Sequence, residues 1–140
     1  MITAIDTNIL IDILEPDPVF GERSKEALKR CLGQGRIVAC EIVWAETATA
    51  YRTHTQDLLD NLGRMGVEFS PLSQESALAA AAAWHQYRLK GGTRRRIAAD
   101  FLIGAHAMLQ CGQLLSRDHG FFREYFSGLS VVNPVVDGLQ

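Results

Sequence analysis

Several familiar signatures are missing from this chain of 140 residues. No C-x-x-C or H-x-x-x-H spacing occurs, and the three cysteines, Cys31, Cys40 and Cys111, sit outside any His/Cys cluster. That argues against a structural zinc or a disulfide framework, and for three reduced, mostly buried thiols of the kind expected in the cytoplasm. The N-terminus, MITAIDTNILIDIL, lacks a basic stretch and carries Asp6 and Asp12, so neither a signal peptide nor a membrane span is expected. No glycine-rich loop follows the first apolar run, which counts against a nucleotide-binding module. A strong charge of one sign is also absent: the net charge is −2, so any nucleic-acid site must be a local patch.

What is present is the composition of one globular domain over residues 1–140, 47% hydrophobic and 21% charged. Short apolar runs alternate with helical patterns. Strands are expected at Ile2–Ile5, Arg36–Cys40, Val67–Phe69, Gln113–Ser116 and Leu129–Val132. Helices are expected over Asn8–Leu14, Glu22–Leu32, Ile42–Thr53 and Gln56–Arg64. Two more should run from Ser73 to about Leu89, and over Ile97–Cys111. Strands separated by helices imply a parallel sheet with crossover connections, hence a three-layer α/β/α sandwich of about five strands. In such sheets ligands bind beyond the carboxyl ends of the strands.

Two acids fall where that rule points, and two more come from helices. Asp6 follows the first strand and Asp118 the fourth. Glu46 shares a helical face with Ile42, Val43, Thr49 and Ala50, and Asp100 one with Ile97, Ile103, Gly104 and Ala107. Each acid alone has an ordinary explanation: a helix cap for Asp6, a loop or cap for Asp118, a first-turn acid for Asp100. Glu46, in mid-helix, has the weakest one. Carboxylates gathered on apolar faces are costly, and no Lys or Arg stands at helical spacing to neutralise both Glu46 and Asp100. A divalent cation resolves the conflict; Mg²⁺, held by a few carboxylates, water and substrate phosphates, suits phosphodiester hydrolysis.

The segments I-D-T-N-I-L, W-A-E, A-A-D-F-L-I-G-A-H-A and L-L-S-R-D-H-G-F-F together resemble a PIN domain, most of all the VapC-type toxins of toxin–antitoxin pairs. The resemblance covers nearly the whole chain. It implies strand order 3-2-1-4-5 and a Mg²⁺- or Mn²⁺-dependent endoribonuclease. It also implies a homodimer held inactive by a cognate antitoxin. Carried over by position, Asp6, Glu46, Asp100 and Asp118 are the metal-site acids, and Asn8 and Ser116 the polar residues that orient them or the metal-bound water. One departure is Cys40-Glu41, where such families often have a serine or threonine; Glu41 is a second-choice acid lying off the Glu46 face.

Between Ser76 and Ala99 there is no acid, while Arg88, Lys90, Arg94, Arg95 and Arg96 lead into Asp100. Arg94, Arg95 and Arg96 are candidate RNA-phosphate contacts; the alternative is a solvated surface run. His119, beside Asp118, is a candidate substrate contact or a plain loop residue. Trp44, Tyr51, Trp84, Tyr87, Phe121, Phe122 and Phe126 are expected in the core or a dimer surface. A signalling receiver needs an acid after the third strand, where Phe69-Ser70-Pro71-Leu72 stands, and a haloacid-dehalogenase-type phosphatase needs an acid at Asn8. The remaining alternative is a PIN fold that binds RNA or protein without cutting.

Overall fold

The computed structural model describes residues 1–92 and 98–137. Its strands are β1 (Ile2–Ile5), β2 (Arg36–Ala39), β3 (Val67–Phe69), β4 (Gln113–Leu115) and β5 (Val131–Val132). All pair in parallel in the order β3-β2-β1-β4-β5, as the resemblance implied. The register sets Thr3 opposite both Ile37 and Gln113. Alternation of polar and apolar residues is weak because the inner strands are covered on both faces: Ala4, Ile5, Ile37, Val38, Leu114 and Leu115 are all buried.

Helices α1 (Thr7–Leu14) and α2 (Gly21–Gln34) connect β1 to β2, and α3 (Glu41–Ala50) and α4 (Thr55–Arg64) connect β2 to β3. The return to β4 runs through α5 (Gln74–Leu89) and α6 (Ala98–Gln110); α7 (His119–Tyr125) precedes β5, and α8 (Pro134–Asp137) follows it. Right-handed crossovers in opposite directions across the sheet put the first four helices and α5 to α7 on opposite faces. No helix among the described residues is long and apolar enough to cross a membrane.

Local chemistry explains most boundaries. Ser73 caps α5, its Oγ accepting the Ser76 N–H at 3.1 Å, and the alanine run that follows favours helix. Asp6 caps α1, its side chain accepting the Thr7 N–H. Helix α2 passes through Gly33 and stops at Gly35, whose φ of 155° and closeness to the Met1 carbonyl leave no room for a Cβ. Helix α3 ends at Ala50, three residues earlier than the pattern implies, and the short helix α7 was not foreseen.

The core under α6 is aromatic. Phe101 is fully buried, with the Tyr87, Phe121 and Tyr125 rings at 5.4, 5.1 and 6.0 Å between centroids. Trp84 stacks on it at 6.2 Å. Gly104, one turn on, leaves space for the Phe126 ring, which a Cβ there would strike. Gly104→Ala therefore forces Phe126 out of place. Overpacking of this kind costs about 1–3 kcal/mol, and the better helix propensity of alanine returns about 1 kcal/mol. Urea unfolding of the variant should show a lower midpoint with unchanged slope; an equal or higher midpoint contradicts this packing.

Candidate active site

The central strand β1 lies where strand order changes direction, between β2 and β4, and Asp6 is the first residue beyond it. The Asp6 N–H still continues the sheet ladder to the Leu115 carbonyl at 3.0 Å, after which the chain turns into α1. The Asp6 carboxylate is buried and accepts from the Thr7 N–H at 2.7 Å through Oδ1 and from Ser116 Oγ at 2.7 Å through Oδ2. Asn8 Nδ2 lies at 3.5 Å from Oδ2, the longest of the three contacts. Asp6 is thus both a helix cap and a site carboxylate, so the two readings of it were compatible.

Glu46 and Asp100 line the same cleft as Asp6, together with Thr7, Asn8, Ala45, Thr49 and Ala50, around a space of about 610 Å³. Glu46 is half-buried, and Thr49 and Ala50 are exposed; the buried face of α3 runs through Val43 and Thr47 instead. The carboxylate therefore sits at the rim of the helix and faces the cleft. Thr7 Oγ1 donates to Glu46 Oε1 at 2.7 Å and holds it toward Asp6. Asp100 lies in the first turn of α6, next to the fully buried Phe101, which anchors that turn.

Asp118 does not line this cleft; it begins α7. Its N–H donates to Ser116 Oγ at 3.0 Å, and that hydroxyl donates to Asp6. Ser116 thereby links the two acids. Asn8 joins the same loop, its Oδ1 accepting the Arg117 N–H at 3.3 Å.

Arg117 is not available to a substrate. Its guanidinium forks onto Asp12, Nε to Oδ2 at 2.8 Å and Nη2 to Oδ1 at 3.0 Å, and lies 4.0 Å over the Phe20 ring. Ser24 Oγ adds a third bond to Asp12 at 2.7 Å. This group ties the Ser116–Asp118 loop to α1 and α2. Thr7, Asp12 and Arg117 are the contributors that pattern reading missed. Their only local signal is an acid on the otherwise apolar α1 pattern and an arginine beside a site acid.

Other candidates have structural employment. Glu41 Oε1 accepts the Leu72 N–H at 2.9 Å and stays out of the cleft. His106 is buried against Ser70 Oγ at 3.0 Å, and burial lowers its pKa. His119 Nδ1 meets Asn133 Nδ2, 2.6 Å away, and Asn133 Oδ1 accepts the Val135 N–H at 3.0 Å. Arg94, Arg95 and Arg96 lie outside the described residues. All three cysteines are free thiols.

The electrostatics of the cleft are those of crowded negative charge. Burial pushes the Asp6 carboxyl up to about 6; bonds from Ser116 and Thr7 oppose the rise, and the charges of Asp100 and Glu46 add to it. As the side chains lie, the acids line the walls rather than meet at a point. Among the described residues, no three acidic, histidine or cysteine side chains stand close enough to share an ion. All the donors are hard oxygens. The set fits Mg²⁺ or Mn²⁺ in donor type and charge.

Two predictions follow from these contacts. A carboxyl raised in the folded state keeps its proton where the unfolded chain, near 3.8, has lost it. Stability should then fall as pH rises from about 4 to 6, by at most about 3 kcal/mol, in metal-free buffer. Asp6→Asn should flatten that part of the urea-unfolding pH profile, and equal slopes in both proteins would refute the electrostatic account. For the loop anchor, Asp12 is the buried partner, with 4% of its side chain exposed against 27% for Arg117. Arg117→Met should cost about 3 kcal/mol by stranding that carboxylate. Adding Asp12→Asn should cost less than the sum of the single changes; strict additivity would deny the coupling.

The family model described as the PIN domain matches residues 3–126. No curated protein sequence matches the chain. Three solved structures are similar in fold. The first is VapBC2 from Rickettsia felis bound to a DNA fragment from their promoter. It has a TM-score of 0.73 and 18% identity, covering 95% of this chain and 98% of that one. FitAcB from Neisseria gonorrhoeae has a TM-score of 0.70 and 22% identity, covering 96% and 99%. VapBC-1 from nontypeable Haemophilus influenzae has a TM-score of 0.73 and 17% identity, also covering 96% and 99%. With the strand order, the acids after β1 and in α3 and α6, and a family match over most of its length, this chain belongs to the PIN domain family.

Proposed function

We propose that the chain is a Mg²⁺- or Mn²⁺-dependent endoribonuclease, the toxin of a toxin–antitoxin pair. The observation that carries the reading is the cleft at the carboxyl end of β1, lined by Asp6, Glu46 and Asp100, with Asp118 linked to it through Ser116. Family membership supports nucleic-acid hydrolysis. The VapBC and FitAcB structures support the toxin role and a protein antitoxin as partner, and a homodimer comes with the same reading.

In this reading Asp6, Glu46, Asp100 and Asp118 hold the cation. When bound, it stabilises charge on the scissile phosphate and eases ionisation of the attacking water. The protein's own residues set the stage. Thr7 and Ser116 fix the rotamers of Glu46 and Asp6. Asn8 braces the loop that carries Asp118. Burial is the main reason that Asp6 holds its proton more tightly, and the charges of Asp100 and Glu46 add to it; a bound cation would favour the ionised carboxylate.

The test combines stability and chemistry. A ligand bound only by the folded state at a hundred times its dissociation constant adds about 2.7 kcal/mol, a rise of several degrees in Tm. Mg²⁺ or Mn²⁺ should produce that rise and Asp100→Asn should shrink it; an unchanged rise removes Asp100 from the ligand set. RNA cleavage should need the metal and vanish in folded Asp6→Ala protein. A wild-type protein that binds RNA and metal yet cuts nothing would favour the non-cutting binding module instead.

A further inference from the structure

The acid cleft does not end at Glu46. It shares Ala50, the last residue of α3, with a neighbouring recess of about 400 Å³ lined by Glu15, Ala50, Tyr51, Arg52 and Thr53. That recess shares Arg52 and Thr53 with a third, of about 470 Å³, which His54 completes. The shared lining residues set the three recesses side by side, from the acids past the end of α3 to the loop before α4. Glu46 to Ala50 is one helical turn, about 6 Å of rise, so the second recess opens roughly one nucleotide from the acids.

The walls change character from one recess to the next. The cleft is acidic and repels a phosphate that lacks a cation to bridge it. Beyond Ala50, Arg52 is exposed, and no carboxylate among the described residues pairs with it. Two other cations are engaged elsewhere: Arg117 on Asp12 and Lys90 over the Tyr125 ring. Tyr51 is half-buried and is the aromatic side chain of the second recess, and Glu15 is its carboxylate. Glu15 turns phosphate away from its own wall and leaves Arg52 as the anionic subsite. A strand offering phosphate and base alternately matches a recess that presents a guanidinium and an aromatic ring together.

We propose that Tyr51 and Arg52 form a subsite for single-stranded RNA next to the acid cleft. Arg52 holds the backbone phosphate beside the scissile one, and Tyr51 supports the adjoining base. The subsite rests on the nuclease reading above and adds to it the path of the substrate. Being a phosphate contact, Arg52 contributes affinity for RNA of any sequence.

The experiment measures binding of a fluorescent single-stranded RNA to full-length Glu46→Gln protein over a salt series, so that cleavage does not intervene. Adding Arg52→Ala should weaken binding several-fold and lower the salt slope by about 0.7, the release of one counterion. Adding Tyr51→Leu should weaken binding about tenfold with little change of slope. Arg64→Ala, a control at the far end of α4 and outside all three recesses, should change neither. Melting curves identify any variant whose loss comes from unfolding; Arg52→Lys, which keeps the charge, should then recover most of the slope. Slopes and affinities equal to the parent's in both Arg52→Ala and Tyr51→Leu would overturn the subsite and leave the nuclease reading standing. A Glu46→Gln protein that binds no RNA at low salt would overturn both.

Discussion

A buried carboxylate at the carboxyl end of the central strand is the constraint around which the structure is organised. Asp6 cannot lose its water without replacement bonds, and its neighbours supply them: the Thr7 N–H from the helix it caps and the Ser116 hydroxyl from the loop after β4. The same atoms that satisfy Asp6 bring β1, α1 and the β4–α7 loop into one register. The bonds lower its proton affinity, but burial and the charges of Asp100 and Glu46 outweigh them. The fold therefore maintains a carboxylate whose ionised form is electrostatically unfavourable.

Holding that site requires anchors outside it. Phe101 packs among Tyr87, Phe121 and Tyr125, which fixes the first turn of α6 and so the base of Asp100. The Asp12–Arg117 fork, closed by Ser24 and Phe20, does the same for the loop bearing Asp118. One anchor is apolar and the other ionic, for a reason of location. Phe101 lies in the interior, whereas Arg117 is partly exposed and ties its loop to α1 and α2 near the surface.

Much of this was legible beforehand. Apolar runs gave every strand to within two residues, and caps such as Ser73 and stops such as the glycines gave most helices. The acids were visible because a charge at an apolar helical position or just beyond a strand needs explaining. Helical spacing overstated the burial of Glu46, since a face drawn from residues i±3 and i±4 spans both the buried stripe and its rim. Helix α7 went unread because its seven residues, five of them aromatic or charged, are too few to show a period.

By itself the sequence determined the alternation of strand and helix, hence the parallel sheet, and placed Asp6 and Asp118 just beyond strand ends. Those are consequences of local periodicity and of a topological rule that needs no partners. Only the tertiary structure decided which groups the acids would touch. Thr7 reaches Glu46 across 39 positions, and Arg117, although adjacent to Asp118, pairs with Asp12 across 105. Periodicity tells which side of an element a residue occupies, but a hydrogen bond or ion pair is chosen by the distances left after the layers have packed. The acid neighbouring Arg117 in the chain and the acid neighbouring it in space are therefore different residues, and the second made it an anchor.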